Sequence, residues 1–432
     1  MSEWKKVKIG DICKIVKGTT GIASAEPGEY PLVVTAEERK TCSTYQFDCE
    51  AVCIPLVSSS GHGKKSLKNV HYQSGKFALG TILCAVIPNN PQELDARYLH
   101  QYLQFYKDII LVPLMKGAAN VSLSMKDIAT VEFPLPPIER QRELSNLFVS
   151  LQEKQKELSA EYEKQTEYAK LLRQNILQEA IEGKLTADWR KQNPVQKGNP
   201  DYDAEALFEQ IQKERNIEKK QKELFPITDE EKSFEIPKGW KWGRLGEISE
   251  SCLGKMLDSA KNQGIKRKYL RNLNVRWFSF DLSDVLEMKI KDDELDRCSA
   301  QKGDLLICEG GYPGRSAIWN EDYNICFQKA VHRVRFYGLP DMPRLFNYFL
   351  FFLSESGRIE NYLTGEGIKH LTGIKLKQIK IPLPSLTEQK EIVKQVENHF
   401  QTVFELENQI AEREQITKQL MQSILKDAFK ES

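Results

Sequence analysis

The sequence predicts an α+β protein built as a pseudo-two-fold tandem repeat: two globular heads, each followed by a long helix, with the helices pairing antiparallel as a coiled coil. Three observations carry this. A phrase near residue 133 recurs 248 residues later. Two stretches of about 45 residues lack Gly and Pro and carry apolar residues at alternating spacings of four and three. Upstream of each, short β-rich runs such as Thr81–Ile87 and Asp304–Cys308 accompany a helix near 95–107 or 343–360.

The repeat rests on two anchors. Phe133-Pro-Leu-Pro-Pro-Ile-Glu-Arg-Gln-Arg-Glu143 returns as Ile381-Pro-Leu-Pro-Ser-Leu-Thr-Glu-Gln-Lys-Glu391. At the same offset Leu172, Gln174, Ile176, Leu177 and Ala180 meet Leu420, Gln422, Ile424, Leu425 and Ala428, and Gly117 and Leu123 meet Gly365 and Leu371. Trp4-Lys5 and Ile9–Ile12 match Trp240-Lys241 and Leu245–Ile248 at an offset of only 236, so the second head is twelve residues longer. Between the anchors the heads share no convincing identity. Duplicated frames with divergent middles are what two different ligands would produce. The resulting division is a first head over 1–136, a long helix over 137–183, a polar linker over 184–239, a second head over 240–384 and a second long helix over 385–430.

In the first helix Pro136-Pro137 marks the start and Gly183 the C′ stop, and Ser385–Glu388 reads as a capping box for the second. The expected seam is Leu144, Phe148, Leu151, Leu158, Leu172 and Ile176 against Ile392, Val396, Val403, Leu406, Ile410, Leu420 and Ile424. Gln155, Gln165, His399 and Arg413 are its polar, register-setting members. Stripes of equal length favour pairing within one chain, and a two-fold relation then requires antiparallel helices that set a fixed spacing. The linker reads as a solvated connector with a short amphipathic helix over Glu205–Phe225.

No run reaches the roughly 18 apolar residues of a membrane span, and the N-terminus lacks the apolar core of a signal peptide. Nine Cys without a CxxC pair read as reduced thiols, hence a cytoplasmic setting. Net charge is only +1, but residues 1–136 hold 15 Lys+Arg against 13 Asp+Glu and residues 240–384 hold 23 against 18, so the connecting parts are acidic and the heads mildly basic. Residues 51–92 contain no Asp or Glu. Within them the Ser58–Lys68 loop offers Ser59, Ser60, His62, Lys64, Lys65 and Lys68 to phosphates and base edges; the plain alternative is a solvated loop. Residues 259–280 are also acid-free and present Lys266, Arg267, Lys268, Arg271, Asn272, Asn274 and Arg276 among aromatic residues that could equally be core. Glu309–Arg315 is a glycine turn presenting Tyr312 and Arg315. No [DN]-P-P-[YF] methylation motif, Walker A loop, nucleotide cradle, nucleophile elbow or zinc spacing is present, which excludes evident catalysis and metal binding by this chain. The pattern is that of a binding module.

The order head, helix, head, helix resembles the specificity subunit (HsdS) of type I restriction-modification systems. The resemblance is carried by the two Pro-Leu-Pro phrases, by Ile176-Leu-Gln-Glu-Ala-Ile-Glu-Gly-Lys-Leu-Thr-Ala-Asp-Trp-Arg190 and by Ile236-Pro-Lys-Gly-Trp-Lys-Trp242, and it covers essentially the whole chain. It implies two target-recognition domains that each read half of a bipartite duplex DNA target. It also implies helices that set the spacer and dock two methyltransferase subunits, to which restriction/translocase subunits add. S-adenosylmethionine, ATP and Mg would then belong to partner subunits, with no cofactor on this chain. By position it adds Asn69, Lys329, Arg333, Lys369 and His370 to the DNA-facing candidates. The first head shows no sequence counterpart of the Gly-Gly-Tyr-Pro-Gly-Arg turn. A type II-like recognition subunit and a coiled-coil adaptor that binds no DNA are the alternatives.

Overall fold

The computed structural model describes residues 4–60, 63–218, 227–258 and 260–429. The chain divides into two compact units, residues 1–163 with 411–432, and residues 164–410. Each holds one head and parts of both long helices.

The two anchors are each other's hydrogen-bonding partners. Lys5–Lys8 pairs antiparallel with Glu132–Leu135, and Lys241–Arg244 pairs in the same way with Lys380–Leu383. Each ladder ties the first strand of a head to its last, so one motif of the repeat cannot drift without the other.

Between these ladders the heads share one topology. In the first, an antiparallel sheet has the order Cys13–Lys17, Leu83–Pro88, Ala51–Pro55, His71–Gln73. The second repeats it as Ser249–Leu253, Val331–Phe336, Leu305–Cys308, Ser316–Ile318. A second sheet runs Lys40–Cys42, Tyr30–Val33, Lys76–Leu79, Phe47–Asp48, matched by Leu286–Ile290, Ile265–Leu270, Ile325–Phe327, Ser299–Ala300. Both carry one parallel pair at the centre, Leu32 opposite Ala78 and Tyr269 opposite Cys326. The central strands are buried on both faces, which explains apolar runs such as Ala51-Val-Cys-Ile54 without alternation. Most of the extra length of the second head lies in one place. Six residues separate Val33 from Lys40, whereas fifteen separate Leu270 from Leu286 and fold a hairpin, Val275–Arg276 against Ser279–Phe280. The predicted head helices are Ala96–Ile110, capped by the Asp95 carboxylate on the Arg97 and Tyr98 N–H groups, and Met342–Glu355.

The long helices are Ile138–Ile181 and Leu386–Ala428, 44 and 43 residues. Gly183 follows the first with φ 72, and a Cβ there would stand 2.5 Å from Pro237. The helices run antiparallel within each unit. In the first, Leu144 and Phe148 share a core with Leu425, Ala428 and Phe429, and the Tyr162 and Thr417 hydroxyls meet at 2.9 Å. In the second, Ala169, Ile176, Leu177 and Ala180 share a core with Ile392, Val396 and Val403, and Arg173 pairs with Glu407 at 2.8 Å.

The seam corrects the expected one. Leu172, Leu406 and Leu420 are 42%, 42% and 58% exposed, and Gln155, His399 and Arg413 also face outward. Except at Gln155, their places are taken one position on, by Arg173, Phe400, Glu407, Glu414 and Met421. Leu144, Phe148, Ile176, Ile392, Val396 and Val403 are buried as expected; the heptad slips where polar pairs, above all Arg173–Glu407, occupy central rungs. Leu151, Leu158, Ile410 and Ile424 are half-buried.

The described part of the linker is more than a solvated connector. Its helix, Ala204–Glu218, buries Leu207 and Ile211 in the core of the second head, and Lys241 bonds Glu205 at 2.7 Å. Residues 219–226, which include the end of the expected helix, lie outside the described residues. The expected capping box is also replaced. The buried Glu388 carboxylate accepts from Thr186 Oγ1 at 2.7 Å, Arg190 Nη1 at 2.5 Å and Trp240 Nε1 at 2.7 Å. Among the described residues no helix is long and apolar enough to cross a membrane.

Candidate nucleic-acid interface

In each head one central strand runs into a loop that leans on the loop ahead of the last strand. After Ala51–Pro55 the chain enters Ser58–Lys68; Val57 bridges Ser122, and the Leu123 N–H donates to the Leu56 carbonyl at 2.9 Å. After Leu305–Cys308 it enters Glu309–Arg315; Gly310 bridges His370, and the Leu371 N–H donates to the Glu309 carbonyl at 2.8 Å. The supporting loops are closed by equivalent bridges, Lys116 to Ser122 and Thr364 to His370. The glycine turn thus has a positional counterpart in the first head after all, the serine and lysine loop. No residue identity announces it, because only the strand order aligns the two.

The first loop is held by its own hydroxyls. Ser58 donates to the Lys64 carbonyl at 2.6 Å, Ser59 accepts from the Lys68 N–H at 2.9 Å, and Ser60 and Ser66 bond each other at 2.7 Å. Ser59 and Ser60, expected to face DNA, are exposed and also shape the loop. Leu67 anchors it in the core, while Lys64, Lys65 and Lys68 are exposed. Asn69 is half-buried, its Nδ2 without a hydrogen-bond partner among the described residues. His62 lies outside the described residues.

The second head sorts its candidates more sharply. Asn274 is buried and donates to the Asp281 and Asp284 carbonyls at 2.9 and 3.0 Å. Arg333 is buried and donates to the Asp296 and Ser299 carbonyls at 2.7 and 2.8 Å. Both are corrections: these side chains satisfy backbone inside the fold and cannot reach a base edge. Arg315 is also mostly buried. It donates to the Asn272 carbonyl at 2.9 Å and sits 4.2 Å from the centre of the Tyr312 ring, so it props that exposed ring outward. Asn272 itself donates to the Gly310 carbonyl at 3.0 Å. Gly311 has φ 79 with Asn272 Nδ2 only 2.6 Å from where a Cβ would stand, so the turn requires glycine. Arg267, Arg271 and Arg276 are ion-paired with Asp292, Asp284 and Asp281. Lys369 lies 3.8 Å from Glu360, and Lys266, Lys268, Lys329 and His370 are exposed.

The histidines under these surfaces are neutral. Burial drives His332, whose Nε2 lies 2.8 Å from the Leu371 carbonyl, down to about 4. His71 is also lowered to about 4, by burial and then by the charge of Arg39, 3.1 Å from its Nδ1. Burial raises the thiols of Cys84 and Cys308 to about 12 and about 11, which makes them packing atoms. Positive charge on these surfaces comes from lysine and exposed arginine.

A family model described as the type I restriction modification DNA specificity domain matches residues 1–167 and 237–417. The type I restriction enzyme EcoAI specificity subunit of Escherichia coli is 38% identical over 117 residues, which span 27% of this chain and only 19% of that protein. The EcoDI specificity subunit of Escherichia coli is 23% identical over 441 residues, covering 99% of this chain and 88% of that one. The crystal structure of the HsdS subunit from Thermoanaerobacter tengcongensis shares the fold, with a TM-score of 0.59 at 18% identity over 100% of this chain and 97% of that one. With both heads and most of both long helices matched, the chain belongs to the type I restriction-modification DNA specificity family.

Proposed function

We propose that this chain selects the DNA site of a type I restriction-modification complex. The observation that carries the reading is the duplicated head. One topology presents two unrelated loops, a lysine and serine loop and a glycine and tyrosine turn, at the same place on the same sheet. A fixed frame with exchanged loops suits two readers of two unrelated half-sites.

Methyl transfer, ATP use and cleavage are assigned to partner chains, and with them S-adenosylmethionine, ATP and Mg. Two methyltransferase subunits have a repeated surface to bind. Tyr168 and Leu172 stand four residues apart and exposed on the first long helix, and Ile416 and Leu420 are exposed at the equivalent positions of the second. Such repeated apolar pairs on helices whose other faces are charged suit two copies of one partner.

Exchange of residues 260–280 for those of a relative with a different target tests the reading in the assembled complex. Mapping of methylated adenines genome-wide is expected to show one half-site changed and the other retained. Two changed half-sites, or none, would refute independent readers.

A further inference from the structure

In the second head the arginines in and just after the strand Ile265–Leu270 are ion-paired. Arg267 and Arg271 meet Asp292 and Asp284 at 2.6 Å each, and Arg276 meets Asp281 at 3.3 Å. The lysines of that strand are placed differently. Ile265–Leu270 pairs antiparallel with the edge strand Leu286–Ile290, in a register that sets Lys266 opposite Lys289 and Lys268 opposite Glu287. Side chains alternate across the pair. Tyr269, Met288 and Ile290 are buried on one face, and Lys266, Lys268 and Lys289 are exposed on the other. Among the described residues none of these three lysines makes an ion pair within 4.0 Å.

Directly opposed ammonium groups repel on a sheet face. A charged residue protects a sheet edge from pairing with another chain, but a carboxylate at either position would do that and attract its neighbour as well. Two lysines face to face are stabilised by an anion between them. We infer that this outer sheet face is a phosphate-binding surface, on which Lys266 and Lys289 jointly hold one backbone phosphate of the bound duplex, with Lys268 alongside. The inference rests on the DNA-recognition reading and deepens it. Lys289 lies outside the acid-free stretch, with Lys291 beside it and Glu287, Asp292 and Asp293 on either side. Only strand register brings it to Lys266.

The test is binding of the full chain to a 30-base-pair duplex of arbitrary sequence, with log K followed against log salt for wild type, K289M and K289E. Loss of one phosphate contact lowers the slope by about one. K289M is expected to do this, and K289E to lower it by about two, because the introduced carboxylate also neutralises Lys266. Thermal unfolding checks the geometry: Tm of K289E is expected to equal or exceed that of wild type. A steep wild-type slope left unchanged in both variants overturns the inference alone, whereas absence of salt-dependent binding by wild type sinks the DNA reading with it. A lower Tm in K289E but not in K289M refutes the cross-strand placement.

Discussion

Removing the Glu388 carboxylate should damage the second unit more than any exposed charge substitution in the chain. The group is 4% exposed and accepts from Thr186, Arg190 and Trp240, so it joins the turn after the first long helix, the entry of the second head and the start of the second long helix. Arg190 is held further by the Gly183 carbonyl and lies 5.8 Å from the centre of the Trp240 ring. Glu388→Ala would leave a largely buried guanidinium, an indole N–H and a hydroxyl without their acceptor. Bonds to a charged group contribute about 1.5–3 kcal/mol each, but three on one carboxylate are not additive. Breaking a buried pair from one side costs about 3–5 kcal/mol, and that is the expected loss. Hydrogen exchange read by mass spectrometry is the suitable assay, since two units need not unfold as one transition. Peptides covering 183–192, 240–248 and 386–396 should exchange roughly a hundredfold faster or more, by the relation of about 1.4 kcal/mol to each factor of ten. The double variant Arg190→Met with Glu388→Leu should recover most of the protection, because it removes both charges together. Exchange within twofold of wild type for Glu388→Ala would refute the reasoning.

The remaining predictions concern acid, partner docking and the recognition turn. His71 and His332 sit near 4 when folded against 6.5 when free, so the unfolded chain binds more protons and stability falls as pH drops from about 6.5 towards 4. By pH 5 each withdraws about 2 kcal/mol relative to neutral pH; urea midpoints at pH 7 and pH 5 should show it, His332→Gln should flatten the profile, and equal midpoints in wild type would contradict it. Leu172→Glu and Leu420→Glu alter exposed positions, so Tm should move by no more than about 0.5 kcal/mol equivalent, while pull-down of the methyltransferase subunit falls from two copies to one for each single change and to none for both. Undiminished recovery would count against the docking surface. Tyr312→Ala should weaken methylation of the target without lowering Tm, whereas Gly311→Ala should lower both, since its φ of 79 and the nearby Asn272 leave no room for a Cβ; equal Tm losses in the two variants would contradict the division.

Much of the fold was legible because its signals are local or repeated. Pro137, Gly183 and the long Gly- and Pro-free runs marked the helix ends, and the two offsets marked the repeat, though not that its anchors pair with each other. Candidate site residues fared unevenly for one physical reason. Residue type tells what a side chain can bond, but the nearest partner claims it first. Asn274 and Arg333 went to backbone carbonyls, Arg267 and Arg271 to aspartates, and Ser59 and Ser60 to their own loop. Leu172 and Leu420 kept the heptad spacing yet face outward, because Arg173 and Met421 turn the seam by one position.

The amino-acid sequence by itself determined the duplication, the two long helices and the family resemblance, since these depend on spacing along the chain. Only the tertiary structure decided what lies across from what. The common strand order of the heads, the equivalence of the serine and glycine loops, the burial of the linker helix and the opposition of Lys266 and Lys289 all depend on pairing between distant segments. Register in a sheet is set by which face must be buried, and a one-residue slip would reverse it. That choice is made by the whole core at once, and no single segment contains it.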